Sequence, residues 1–354
     1  MTRAERKLDH IRHALSTGQS RKTGLDDITF IHQALPDASW EDISLHTQVG
    51  GLNFSSPFFI NAMTGGGGDR TKIVNAQLAR IAKQVDIPMA VGSQMAALKD
   101  PDERTSYAVV REENPNGLVF ANLGSEATVE QAKQAIEMIQ ADALQIHLNV
   151  IQELTMPEGD RDFKDALKRI EQIIHGLSVP VIIKETGFGL SRETVHKLKQ
   201  LNVGAIDVGG FGGTNFAMIE NERRKRQLSY FDQWGIPTAA SVIEAKMEAP
   251  DTSIIASGGI QNPLDIVKCL ALGASAVGLA GFILKLVVEH GEDETCQAIE
   301  EMKEDIKMMM VALGATTVSE LQNSPLILNG ELYHYISQRG YDTFSFANRK
   351  NIKR

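Results

Sequence analysis

Eight times along this chain a short apolar run rich in β-branched residues ends in glycine or a polar side chain and gives way to a segment with helical spacing. The runs are FFINAM (58–63), MAVGS (89–93), LVFANLG (118–124), ALQIHLNV (143–150), PVIIKE (180–185), AIDVGG (205–210), IIASGG (254–259) and AVGLAG (276–281). Runs this apolar and this short fit strands buried on both faces, and strands that alternate with helices lie parallel. Closing such a sheet gives an α/β fold of the (β/α)8 TIM-barrel type; leaving it open gives a doubly wound sheet, the alternative the pattern permits. The segments between carry helix signals. Val129, Ala132, Ile136 and Ile139 share one side of 128–140, Ser191 stands as N-cap to 191–201, and 262–273 runs from Asn262 and Pro263 to Gly273.

On this reading residues 1–57 form an N-terminal arm, 58–314 the barrel, and 315–354 a tail packed on it. From Glu300 onward the pattern predicts one long helix and then irregular chain. A length of 354 residues suits one barrel with extensions. The formal charge of −9 argues against nonspecific nucleic-acid binding. No apolar run approaches a membrane span, and the polar start MTRAERKLDHIRH lacks a secretory apolar segment, so the expected location is the cytoplasm. Cys269 and Cys296 fall in amphipathic helix patterns and read as core thiols.

In parallel barrels the C-terminal ends of the strands face the active site. The residues closing the runs therefore form one candidate site: Ala62, Met63, Thr64, Ser93, Gln94, Asn122, His147, Asn149, Gln152, Glu153, Lys184, Gly209 to Thr214, Ser257 to Gly259, Ala280 and Gly281. A cation at a strand end is costly inside a barrel, so Lys184 either serves a ligand or is paired to a carboxylate. SGGI after the seventh strand and AG after the eighth set backbone N–H groups beside helix N-termini, where such barrels hold phosphate, and GGFGGTNF (209–216) adds a third glycine-rich turn. Tight strand-to-helix turns need glycine in any case. Walker A and GxGxxG patterns are absent, which disfavours a nucleoside triphosphate or a Rossmann-bound dinucleotide. Lys184, Ser93, Asn122 and the backbone of AMT suit a flavin ring, with an FMN phosphate on the glycines. The basic arm (Arg6, Lys7, His10) reads as a solvated helix face or as an anion contact over the mouth, and ERRKR (222–226) as a solvated loop or helix face or as part of a lid over the site.

Taken in order, RK at 6 and 7 with His10, AMTGG at 62–66, GSQ at 92–94, ANLG at 121–124, HLNVIQE at 147–153, KETGFG at 184–189, GGFGGT at 209–214, ASGGI at 256–260 and AG at 280–281 resemble the type 2 isopentenyl diphosphate isomerases over nearly the full length. That class is FMN-dependent and unrelated to the metal-dependent type 1 enzymes. The resemblance implies redox-neutral conversion of isopentenyl to dimethylallyl diphosphate, with reduced FMN as acid and base, Mg²⁺ on the diphosphate, and NADPH or NADH as flavin reductant. It implies FMN contacts from Ala62, Met63, Thr64, Ser93, Asn122, Lys184, Thr214, Gly258, Gly259, Ala280 and Gly281. Substrate contacts would come from Arg6, Lys7, His10, Ser93, Gln94, His147, Asn149 and Gln152, with Gln152 beside the reacting carbons and Glu153 holding the metal. A glutamine cannot be the primary acid at neutral pH. Gly209 stands where a hydroxyl would offer a flavin contact, which leaves that contact to Thr214. A homo-oligomer, tetramer or octamer, is also implied. The rivals are a 2-hydroxy acid oxidase, which would pair a His base with an Arg late in the barrel where ASGGIQN supplies neither, an inosine monophosphate dehydrogenase, which needs a loop cysteine, and a noncatalytic flavin or prenyl-phosphate carrier.

Overall fold

The computed structural model describes residues 23–64 and 68–349. All eight runs are strands, and they close into one parallel barrel: β1 (Phe58–Ile60), β2 (Met89–Ala90), β3 (Val119–Gly124), β4 (Ala143–Leu148), β5 (Val181–Glu185), β6 (Ala205–Asp207), β7 (Ser253–Ser257) and β8 (Ala276–Leu279), with β8 pairing back to β1. The open-sheet alternative is thereby set aside. Each strand leads into at least one helix on the outer ring, and the caps explain where several begin. Thr128 and Gln131 form a reciprocal capping box on Val129–Ile139, Ser191 accepts from the Thr194 amide, and Asn262 accepts from that of Asp265 ahead of Pro263–Ala271.

Side chains alternate along the strands, and the two faces differ. Outward residues such as Ile60, Leu123, Ile146, Ile183 and Ile206 join the main core under the helices. Inward residues form layers. The lowest is apolar, with Phe59, Phe120, Ala143, Ile182 and Ile255 packed against Val49 and Phe54. Val49 and Phe54 belong to a hairpin (Thr47–Val49 with Leu52–Phe54) that closes the N-terminal end of the barrel. Gly50 N–H donates to Ser253 there, and the Thr47 hydroxyl to the Ser275 carbonyl. The next layer up is polar, comprising Asn61, Asn122, Gln145, Lys184, Asp207 and Ser257, all buried. An apolar bottom under a polar layer orients the barrel and makes its C-terminal end the chemical one.

The C-terminal region differs from the sequence expectation. The long helix begins at Glu292 and ends at Leu313, where Gly314 adopts φ 66° as its left-handed cap. Among the described residues after Gly314, Leu326–Leu328 pairs antiparallel with Ile28–Phe30, and helix Gly330–Gln338 follows. Arg339 anchors it through Glu244 at 2.5 Å and Glu193 at 2.7 Å. Both cysteines are buried and free. No helix among the described residues is long and apolar enough to cross a membrane.

Candidate active site

A cavity of about 520 Å³ opens at the C-terminal end of the barrel, directly above the polar layer. Seventeen of the residues proposed for the site line it: Ala62, Met63, Ser93, Asn122, His147, Asn149, Gln152, Glu153, Lys184, Gly209, Gly213, Thr214, Ser257, Gly258, Gly259, Ala280 and Gly281. Strand register makes this convergence. Asn122 stands beside Gln145, His147 beside Lys184, and Lys184 beside Asp207.

Lys184 is paired to a carboxylate and also lines the cavity. Its ammonium reaches the cavity and also forms an ion pair with fully buried Asp207 at 3.1 Å. Asp207 accepts in addition from Asn61 at 2.8 Å and from the Ser257 hydroxyl, so all its buried oxygens have partners. The strand carrying His147 is shorter than the apolar run suggests. It ends at Leu148, Asn149 occupies the N-cap position, and Gln152 and Glu153 lie on helix Val150–Thr155. Glu153 is held from two sides, by the Asn149 side chain at 2.9 Å and the Asp160 amide at 2.8 Å.

Two of the expected contact residues, Gln94 and Thr64, are not among those lining the cavity. Gln94 is fully buried and faces the wall, not the cavity: its NH₂ donates to Ala135 O at 2.9 Å and its carbonyl accepts from the Asn122 amide at 3.0 Å. Ser93 takes the cavity-facing place, and consecutive residues there point opposite ways. Thr64 likewise lies in the wall, its hydroxyl bonded to Asn75 and its carbonyl accepting from Gly92 at 2.5 Å. Arg6, Lys7 and His10 fall outside the described residues.

The structure adds residues that the strand ends did not disclose. Asn61, Gln145 and Asp207 complete the polar layer. Lys99, at the end of helix Met95–Lys99 after β2, and Glu126, in the turn after β3, also line the cavity. Arg223 also lines the cavity, bridging Glu158 at 2.7 Å and Glu220 at 2.5 Å, while Arg224 donates to Thr155 O at 2.7 Å. The 222–226 run is thus only partly the solvated face expected: Arg223 and Arg224 bind the loop beyond β4, and Lys225 and Arg226 are exposed. Gly209, where a hydroxyl is missing, has φ 49°, and a Cβ there would overlap the Glu185 carbonyl. Backbone crowding rules out any side chain at that point. Below this turn the Glu185 carboxylate accepts from the amides of Gly187, Phe188 and Gly189 at 2.7, 2.6 and 3.0 Å. Burial nevertheless pushes its pKa up from 4.5 to about 7, against the pull of those donors and of Lys184.

Comparison with known proteins places this geometry. The FMN-dependent dehydrogenase family model matches residues 102–328. Among solved structures, flavocytochrome b2 with pyruvate bound superposes with a TM-score of 0.67 at 19% identity, covering 94% of this chain and 88% of that one. A mandelate oxidase variant gives 0.65 at 18%, covering 88% and 91%. At such identities these two show the fold alone. The isopentenyl-diphosphate delta-isomerase of Bacillus pumilus is 57% identical over 354 residues, all of both chains, and that of a Geobacillus species is 54% identical over 349 residues, 99% of this chain and all of its own. The chain belongs to the type 2, FMN-dependent isopentenyl-diphosphate isomerases. It is therefore an enzyme of isomerase type on a flavin-binding TIM barrel, as the ordered motifs from AMTGG to AG anticipated.

Proposed function

We propose that this isomerase interconverts isopentenyl and dimethylallyl diphosphate without net redox change, using reduced FMN and Mg²⁺, with NADPH or NADH as flavin reductant. The observation that carries the reading is that Lys184, Gln152 and Glu153 open into one cavity. Separate cavities for the cation and the carboxylate would have defeated it.

The residues present fit FMN. Gly258 and Gly259 line one wall, and helix Gly281–His290 presents a first turn with no side-chain cap on its amides, which suits a phosphate group. Asn122, Lys184, Ser93, Thr214 and the backbone at Ala62 and Met63 supply polar contacts for the ring. Reduced FMN, when bound, supplies the proton donor and acceptor for the allylic shift. Lys184 contributes a fixed positive charge on the cavity floor, which favours an electron-rich ring above it. The amide of Gln152 neither gains nor loses a proton near neutral pH, so it orients the five-carbon chain or a proton in flight.

Glu153 would be a single protein ligand to Mg²⁺, which usually completes its sphere with waters and substrate phosphates. Among the described residues no group of three or more His, Cys, Asp and Glu is arranged to hold a metal. His147, Asn149 and Ser93 would then face the diphosphate or the metal's waters. Thr23 lies beside Gly212 and Gly259 at the glycine wall, and Arg6, Lys7 and His10 would add charge to the binding of the diphosphate. A homo-oligomer, tetramer or octamer, in the cytoplasm completes the reading. A hydroxy acid oxidase is not favoured, since Ser257, Gly258, Gly259 and Ile260 supply neither a base nor a guanidinium.

The test is turnover. Purified protein given FMN, reductant, Mg²⁺ and isopentenyl diphosphate without oxygen should form dimethylallyl diphosphate, read by mass spectrometry or NMR. No product under those conditions overturns the assignment.

A further inference from the structure

The side chains flooring the cavity are joined by hydrogen bonds that run in one direction. Asp207, paired to the Lys184 ammonium, only accepts. It takes an N–H of Asn61 at 2.8 Å, which turns Asn61 Oδ1 the other way. That orientation is fixed a second time, because the Ala62 amide donates to the same Oδ1 at 2.8 Å. Gln145 must then present its NH₂ to Asn61 Oδ1, at 3.0 Å, leaving its own carbonyl toward Asn122. Asn122 meets that carbonyl with its NH₂ at 3.1 Å, so Asn122 Oδ1 is the atom 3.0 Å from His147 Nδ1. An amide oxygen accepts and never donates, so Nδ1 carries the proton. Asn61, Gln145 and Asn122 are all buried, with no water pathway needed to satisfy them.

We infer that Asp207, Asn61, Gln145 and Asn122 form a one-way relay of amide orientation that holds neutral His147 in its Nδ1–H tautomer and gives the cavity an unprotonated Nε2. In this relay the four act as positioning residues, setting the tautomer of His147. The tautomer of an imidazole is set by the partner of its other nitrogen, and here that partner is oriented by a chain of bonds anchored at Asp207, two strands away on β6. The consequence deepens the functional reading and rests on it. Neutral His147 offers Nε2 as an acceptor, suited to a water on Mg²⁺, and donates to a diphosphate oxygen only after protonation.

The experiment needs no turnover, so its failure and that of the proposed reaction are separable. Holoenzyme labelled with ¹⁵N in histidine is examined at alkaline pH, with His147→Asn identifying the signals of His147. The expected pattern is a pyrrole-type Nδ1 and a pyridine-type Nε2. Gln145→Leu removes the middle of the relay and frees the Asn122 amide to turn over, and the pyridine-type resonance should move wholly or partly to Nδ1. Gln145→Glu still presents an acceptor to Asn122 and should keep the parental pattern; a retained FMN spectrum confirms that each variant is folded. A parental ring protonated at Nε2 overturns the inference, as does an unchanged tautomer in folded Gln145→Leu. If Gln145→Leu does not fold, the tautomer of the parental enzyme and of Gln145→Glu decides it.

Discussion

Replacing Lys184 with Met tests the central ion pair and the flavin assignment together. The Asp207 carboxylate is fully buried and the Lys184 side chain 11% exposed, so the pair lies inside the protein and is poorly screened. Removing one member of a buried pair costs about 3–5 kcal/mol, since it strands the other charge. Asp207 would still accept from Asn61 and Ser257, and methionine keeps most of the aliphatic stem in place. Both effects place the loss at the low end, about 3 kcal/mol. Urea denaturation of the FMN-free protein reads it. Lys184→Met with Asp207→Asn removes the stranded charge and should recover about half of the loss or more. Affinity for FMN should fall roughly tenfold or more in both variants, because the second change repairs the floor without restoring the cation. A single variant within about 0.5 kcal/mol of the parent would refute the energetic argument, and undiminished FMN affinity would remove Lys184 from the flavin site.

Two further outcomes follow from the same geometry. Glu153→Gln should retain FMN but lose about 100-fold or more in kcat/KM together with its response to added Mg²⁺, since an aligned metal contributes several kcal/mol to transition-state charge; normal turnover with unaltered Mg²⁺ dependence would exclude the metal role. For Glu185, the folded carboxyl sits at about 7 against an ordinary 4.5. Below 4.5 both folded and unfolded states are protonated; between 4.5 and about 7 the unfolded chain releases its proton first, so stability falls as pH rises, by about 3 kcal/mol across the window. Glu185→Gln should flatten that stretch of the curve of unfolding free energy against pH, and an identical slope in both proteins would show that Glu185 does not cause it.

The barrel was legible because each of its strands is bounded by glycine or a polar residue and because caps such as Ser191 and Asn262 mark helix starts by short-range chemistry. The site was legible in outline because barrel topology sends every strand end to one mouth, and so residues as distant as Met63, Glu153 and Gly281 could be grouped without coordinates. What escaped depends on direction and distance. Asn61, Gln145 and Asp207 each interrupt an apolar run by a single residue, and only strand pairing reveals that they meet. Gln94 adjoins Ser93 yet points into the wall, a distinction set by the backbone after β2 that residue type does not encode. Arg223 reads as one of several charges in ERRKR until the path of its loop brings Glu158 beside it. The pairing of Ile28–Phe30 with Leu326–Leu328 joins three-residue strands from opposite ends of the chain, too short for alternation to show and too remote for any local rule.

The hairpin beneath Phe59 and Phe120 makes the barrel blind at one end. Traffic through it is therefore last in, first out: of two molecules stacked in the shaft, the deeper must arrive earlier and cannot depart until the upper one has gone. A bulky resident at the bottom is retained by its own guest for as long as that guest stays, so loss of the resident should slow when the shallower molecule is saturating. Plugging one end of the barrel thus sets the order of exchange at the other.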